Sequence, residues 1–174
     1  ITEVIMPDTI TELVDCVFRD CANLETVILS KSLKKMGYGV FGNCQKLTKI
    51  EIPKSLERGS YISDVGVAYR GIFSGTNLKE VTFEEGTTRI AEYLFAGCTS
   101  LEEIEIPDTV TVIGYRSFYK ASNLKKVRFG NAIEKIESGA FEETAISEVV
   151  MPDTITELGD WVFQGTAISE VVMP

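Results

Sequence analysis

Three carboxylates come closest to forming a reactive group in this chain: Glu80 and Glu103, which are 23 residues apart, and Glu105 two places further on. Two carboxylates about 5 to 10 Å apart can hydrolyse a glycosidic bond, provided that a cleft desolvates one of them enough to keep its proton. Oxygen clusters also attract calcium, but a good cage adds backbone carbonyls and a glycine turn. The other usual reagents are missing. Histidine is absent, which removes Ser-His-Asp and Cys-His nucleophile pairs, histidine general bases and most zinc sites. Cys16, Cys21, Cys44 and Cys98 show no C-x-x-C spacing for zinc or redox work. The chain is therefore expected not to be an enzyme and to need no cofactor or metal, with a glycan-active enzyme as a remote alternative.

What would position those carboxylates is a repeat. The phrase ISEVVMP occurs at 146–152 and again at 168–174, and the same frame runs back through the chain with a period of 22 to 23 residues. Units start at Ile1, Leu24, Leu47, Leu78, Leu101, Leu124 and Ile146, with a partial eighth at Ile168. Only the unit starting at 47 is longer, through an insertion within 57–71. The fourth place of every unit is β-branched (Val4, Val27, Ile50, Val81, Ile104, Val127, Val149, Val171) and the sixth is large and apolar. All five prolines fall in the seventh place, and seven of the nine phenylalanines form one column: Phe18, Phe41, Phe73, Phe95, Phe118, Phe141 and Phe163.

Alternation over the first six places is the period of a half-buried strand, and a proline after it ends the pairing because it has no N–H to donate. A second apolar pair, such as Val110 with Ile113, reads as a short return strand. The Phe column, with apolar neighbours at i−1 and i+3, reads as about one helical turn. A 23-residue unit cannot bury these faces alone, whereas stacked coils share one core. Eight parallel strands about 4.8 Å apart would make a sheet roughly 34 Å across.

The pattern LEEIEIPDTVTVIGYRSF at 101–118, with FGNC at 41–44 and FAGC at 95–98, resembles the BspA-like, treponemal-type leucine-rich repeat. The resemblance covers the chain apart from about nine inserted residues. It implies one domain over 1–174: a leucine-rich-repeat solenoid, α/β in class and rich in β, coiling right-handed through about 7.5 repeats of 22–23 residues. It also implies a parallel sheet on a concave face and membership of a secreted or surface-anchored protein that binds other proteins or cells.

Places 3 and 5 point off the first-strand face. In the middle of the chain they hold Lys49, Glu51, Glu80, Thr82, Glu103, Glu105, Lys126 and Arg128, and at the ends place 5 turns aliphatic, as Ile5, Ile28, Val150 and Val172. Facing pairs such as Glu103 with Lys126 suit a ladder of weak ion pairs, whereas like-charged Glu80 and Glu103 and the exposed aliphatics suit a partner-binding surface. Tyr61, Tyr69 and Arg70 in the insertion, with Tyr93 and Trp161 on a flank of the coil, form a second candidate surface of the residue types enriched in recognition. Cys21, Cys44 and Cys98 share one column with Ala121 and are expected as buried thiols.

With 44% hydrophobic and 25% charged residues, the 174-residue chain has the make-up of a globular protein. A net charge of −9 argues against nucleic-acid or anionic-membrane partners, and no apolar run is long enough to enter a bilayer as a helix. The expected role is a non-enzymatic binding module, extracellular or at the cell surface, that presents its sheet to a protein or glycan in adhesion or in host or cell–cell contact. The alternative is a passive spacer or stalk. The ends look uncapped, so end-to-end contact through them is a further expectation.

Overall fold

The computed structural model describes residues 1–59 and 71–172. The insertion residues Tyr61, Tyr69 and Arg70 lie outside them. Fifteen short strands alternate along the described chain, two to a coil and one in the last. The odd-numbered strands open the coils: β1 (Glu3–Ile5), β3 (Thr26–Ile28), β5 (Lys49–Ile52), β7 (Glu80–Phe83), β9 (Glu103–Glu105), β11 (Lys126–Arg128), β13 (Glu148–Val150) and β15 (Glu170–Val172). The even-numbered strands return: β2 (Glu12–Leu13), β4 (Lys35–Met36), β6 (Arg58–Gly59), β8 (Arg89–Ile90), β10 (Val112–Ile113), β12 (Lys135–Ile136) and β14 (Glu157–Leu158).

Every ladder is parallel and joins equivalent places of successive coils, as in Val4 with Val27 and Val127 with Ile104. The repeat therefore fixes the register, because a slip of one residue would turn Ile104 out and Glu103 in. The return strands form two continuous ladders, β2-β4-β6 and β8-β10-β12-β14. Between the sheets lies the core, whose spine is the Phe column. The rings of Phe18, Phe41, Phe73, Phe95, Phe118, Phe141 and Phe163 stack in sequence with centroids 5.1 to 6.1 Å apart. The five inner rings are fully buried.

The Phe segments are not the helical turns that their spacing suggested; no helix occurs among the described residues. Each is a pair of tight turns, with Arg19 N–H donating to Cys16 O at 3.1 Å and Cys21 N–H to Phe18 O at 3.3 Å. In six of the seven segments the backbone at the residues two before and two after the ring lies in the left-handed region, at φ 58° for Cys16 and 59° for Asp20, or 49° for Arg116 and 56° for Lys120. A left-handed residue cannot continue a right-handed helix. The ring residue instead donates across to the next coil, as Phe18 N–H does to Val40 O and Phe118 N–H to Ala140 O, both at 2.8 Å.

A second difference concerns the first-strand sheet, which is not one sheet of eight. It is four two-stranded ribbons, β1-β3, β5-β7, β9-β11 and β13-β15, and no ladder joins β3 to β5, β7 to β9 or β11 to β13. Each of these three seams precedes a coil with proline in its seventh place: Pro53, Pro107 and Pro152. Within the β5-β7 ribbon the seventh place is Glu84, whose N–H donates to Ile52 O at 2.9 Å. Proline has no such hydrogen, so the last rung is lost at every seam. Proline is not sufficient, since β15 pairs with β13 although its coil carries Pro174, which is outside the described residues. The seams open on this face alone. Across the second one, β8 still pairs with β10, and Phe95 N–H donates to Ser117 O at 2.7 Å.

Candidate functional site

Strand alternation sends places 4 and 6 inward and places 3 and 5 outward, and all eight candidate residues of the first-strand face are exposed. Lys49 lies in register with Glu80, Glu51 with Thr82, Glu103 with Lys126, and Glu105 with Arg128. The ion-pair ladder expected of them is sparse. Arg128 approaches Glu105 at 3.8 Å, with both side chains about two-thirds exposed or more, so the pair adds under about 1 kcal/mol. Among the described residues Lys49, Glu80, Glu103 and Lys126 make no ion pair within 4 Å.

Glu80 and Glu103 are not ladder neighbours, because the second seam runs between them. Their like charge thus needs no partner to explain it. Both line an open groove of about 420 Å³ over that seam, with Glu105, Lys79, Lys126 and Arg128. The first and third seams also hold grooves, of about 180 Å³ and 570 Å³. The aliphatic place-5 residues stand beside these two, Ile28 at the first and Val150 at the third, and Ile5, Ile28 and Val150 are all more than half exposed.

On the flank, the structure separates the two described aromatic candidates. Tyr93 is half-buried, packed edge-on to Tyr115 at 5.5 Å, and burial pushes its hydroxyl pKa up to about 12. The Arg116 guanidinium lies 5.4 Å from the Tyr115 ring and 4.7 Å from that of Tyr119, cation–π distances that knit this cluster to itself. Trp161 occupies the same column three coils on, with Arg116 and Gly139 between, and is 60% exposed. Tyr119 is almost fully buried, so it belongs to the packed side of the flank.

A polar network on the return sheet escaped the sequence reading. Arg89 reaches Glu92 at 2.6 Å and Glu137 at 3.1 Å, while Glu137 also accepts from Tyr115 N–H at 2.8 Å and Glu92 from Gly59 N–H at 3.1 Å. Arg89 and Glu137 are two coils apart, farther than register neighbours, so only side-chain reach reveals the contact. Tying four coils together, from Gly59 to Glu137, the network is structural.

The cysteine column also has a structural role. Cys44 and Cys98 are buried, with Sγ 3.1 Å from Phe18 O and 3.4 Å from Phe73 O. In the shorter turns Thr76, Thr144 and Thr166 donate to the carbonyls of Phe73, Phe141 and Phe163 at 2.7 to 2.9 Å. Cysteine and threonine thus serve the same carbonyl row. Burial pushes the thiols up, to about 11 at Cys44 and about 12 at Cys98. Cys21, expected to be buried like them, is half-exposed, as is Cys16. All four are free thiols, and no group of three or more His, Cys, Asp or Glu residues is placed to hold a metal among the described residues. No helix among them is long and apolar enough to cross a membrane.

A sequence profile of the BspA-type leucine-rich repeat region matches six copies over residues 1–62 and 68–174. The chain belongs to the BspA-type leucine-rich repeat family. Solved leucine-rich repeat proteins share its coil. One from Eubacterium ventriosum superposes with a TM-score of 0.71 at 23% identity over 99% of this chain and 44% of that one. One from Bacteroides ovatus gives 0.66 at 24% identity over 98% and 49%. A leucine-rich cell surface protein from Faecalibacterium prausnitzii gives 0.54 at 25% identity over 98% and 38%. This leucine-rich repeat therefore spans about half the length of these three solved proteins, or less. No curated protein matches it.

Proposed function

We propose that this leucine-rich repeat is a non-enzymatic binding module of a secreted or cell-surface protein, recognising a protein or glycan partner across its first-strand face through Lys49, Glu51, Glu80, Thr82, Glu103, Glu105, Lys126 and Arg128. The observation that carries the reading is that these side chains are exposed and, Arg128 and Glu105 apart, free of ion pairs with one another, on a face whose ends add exposed aliphatics. A surface built only for solubility has no use for Ile5, Ile28 and Val150 at more than half exposure. The cell-surface neighbour from Faecalibacterium prausnitzii supports the location. Catalysis by Glu80, Glu103 or Glu105 is disfavoured because all three stand exposed along an open groove rather than inside an enclosing cleft.

Surface plasmon resonance against immobilised matrix proteins, together with a glycan array, tests the reading. Binding should appear and weaken on alanine substitution of Glu51, Thr82, Glu105 and Arg128. Binding indifferent to all four substitutions would remove the face from the function, and a chain that binds nothing would be a spacer.

A further inference from the structure

The three seams are not equivalent. The groove at the third, between β11 and β13, measures about 570 Å³, within the range of about 300–1,000 Å³ typical of ligand sites. Phe129 lines it, held edge-on against Phe141 at 5.8 Å, whereas the equivalent Phe83 does not line the groove over the second seam. Val127, Val150, Met151 and Pro152 complete an apolar floor, and Val150 is 70% exposed.

The backbone at this seam is also unusual. Lys126 N–H donates to Glu102 O on the β9 side, and Met151 N–H to Val172 O on the β15 side. Successive amides of a strand point to opposite sides, so those of Val127 and Phe129 face β13 and that of Val150 faces β11, with no ladder between the two strands. Exposed strand edges of this kind pair with an extended chain. A sugar would need an open aromatic face, and the exposed Trp161 does not line the groove.

Charge selects among peptides. Lys125, Lys126 and Arg128 stand on one wall, and Glu148 is the single carboxylate lining the groove. Arg128 and Lys125 meet Glu105 and Glu102 only at 3.8 and 3.9 Å, with exposed side chains, and Lys126 makes no ion pair among the described residues. Salt at physiological strength screens the chain's charge of −9 beyond about 8 Å, so these local cations decide what docks.

We propose that the β11–β13 groove takes an extended acidic peptide segment with one bulky apolar side chain. The apolar side chain lies between Phe129 and Val150, the peptide backbone bonds to the free strand edges, and its carboxylates meet Lys125, Lys126 and Arg128. The proposal rests on the binding-module reading and names the partner chemistry of that face.

Fluorescence polarisation with a labelled heptapeptide of three Asp, one central Phe and three Asp tests it. Two control peptides replace the central Phe with Ser, or every Asp with Lys. The expected result is saturable binding of the first peptide, about tenfold or more weaker for each control, a loss of about 1.4 kcal/mol or more. Val150→Glu and Arg128→Glu, both at exposed positions and checked for an unchanged circular dichroism spectrum, should weaken it by a similar factor, while Val14→Glu, at an exposed position of the first coil remote from this seam, leaves it unchanged. Equal binding of the Lys peptide, or indifference to Val150→Glu, would overturn the proposal. Matrix-protein binding that depends on Glu51 and Thr82 while no peptide binds would also overturn it, and would leave the wider binding-face reading standing.

Discussion

Replacing Phe118 by alanine tests the stacked ring column as the source of stability. The Phe118 side chain is fully buried, and its ring stacks on Phe95 at 5.4 Å and Phe141 at 5.1 Å. Removing a buried Phe side chain and leaving a cavity in its place costs about 3–5 kcal/mol, a range that already includes the ring contacts. Phe163 is a built-in comparison. It is only partly buried and has one described ring neighbour, Phe141 at 5.7 Å, so Phe163→Ala should cost roughly 1–2 kcal/mol. Urea unfolding followed by far-ultraviolet circular dichroism reads both. The midpoint should fall further for Phe118→Ala, and if coils on either side then unfold separately, the denaturant slope should fall too, because each coil is supported only by its neighbours. A Phe118→Ala cost equal to or smaller than that of Phe163→Ala would refute the argument that the ring column is the core.

Two further outcomes follow from the seams and the thiols. Hydrogen exchange should be markedly faster at the amides of Val81, Phe83, Val127 and Phe129, which face seams, than at Ile106 and Met151, which donate to Arg128 O at 2.9 Å and Val172 O at 3.1 Å; equal protection would mean that the seams are closed in solution. At pH 8 a thiol reagent should label Cys16 and Cys21 and spare Cys44 and Cys98. The buried thiols' raised pKa values, about 11 and about 12 against an ordinary 9, favour the protonated folded state. Their contribution to stability is therefore fully present below pH 9 and is lost as pH rises toward 11–12, visible as a falling melting temperature. Rapid labelling of Cys98 in the folded protein would contradict its burial.

The periodic parts of this fold were legible because one residue type recurs at one height on every coil. The Phe column, the inward Val and Ile of place 4 and the parallel register of Glu103 with Lys126 all follow from the 23-residue offset. The seams were written in the sequence too, in the alternation of Pro7, Pro53, Pro107 and Pro152 with Ser30, Glu84 and Gly130, but a proline at a strand end signals a stop without saying whether the neighbouring strand compensates. The tight turns around Phe18 and Phe118 were misread because apolar residues at i−1 and i+3 satisfy a helical turn and a turn pair equally. Backbone sign alone separates them, and Cys16, Arg116 and Lys120 are poor sequence markers of positive φ. The candidate face was legible as a row of outward residues. Its division into grooves was not, since Glu80 and Glu103 look like neighbours until the missing ladder separates them.

The pairing of strands two by two changes what counts as the building block. By sequence the block is one coil; by hydrogen bonding on the first-strand face it is a doublet of about 46 residues, each opened by a proline-bearing coil. Gain or loss of a whole doublet would keep every ribbon and every seam in phase. Loss of the single coil 101–123 would instead set the proline-free coils of Glu84 and Gly130 side by side and erase the second groove together with the Glu105–Arg128 pair. Genetic drift in coil number, ordinarily silent in a repeat protein, would here redraw the surface in even and odd steps.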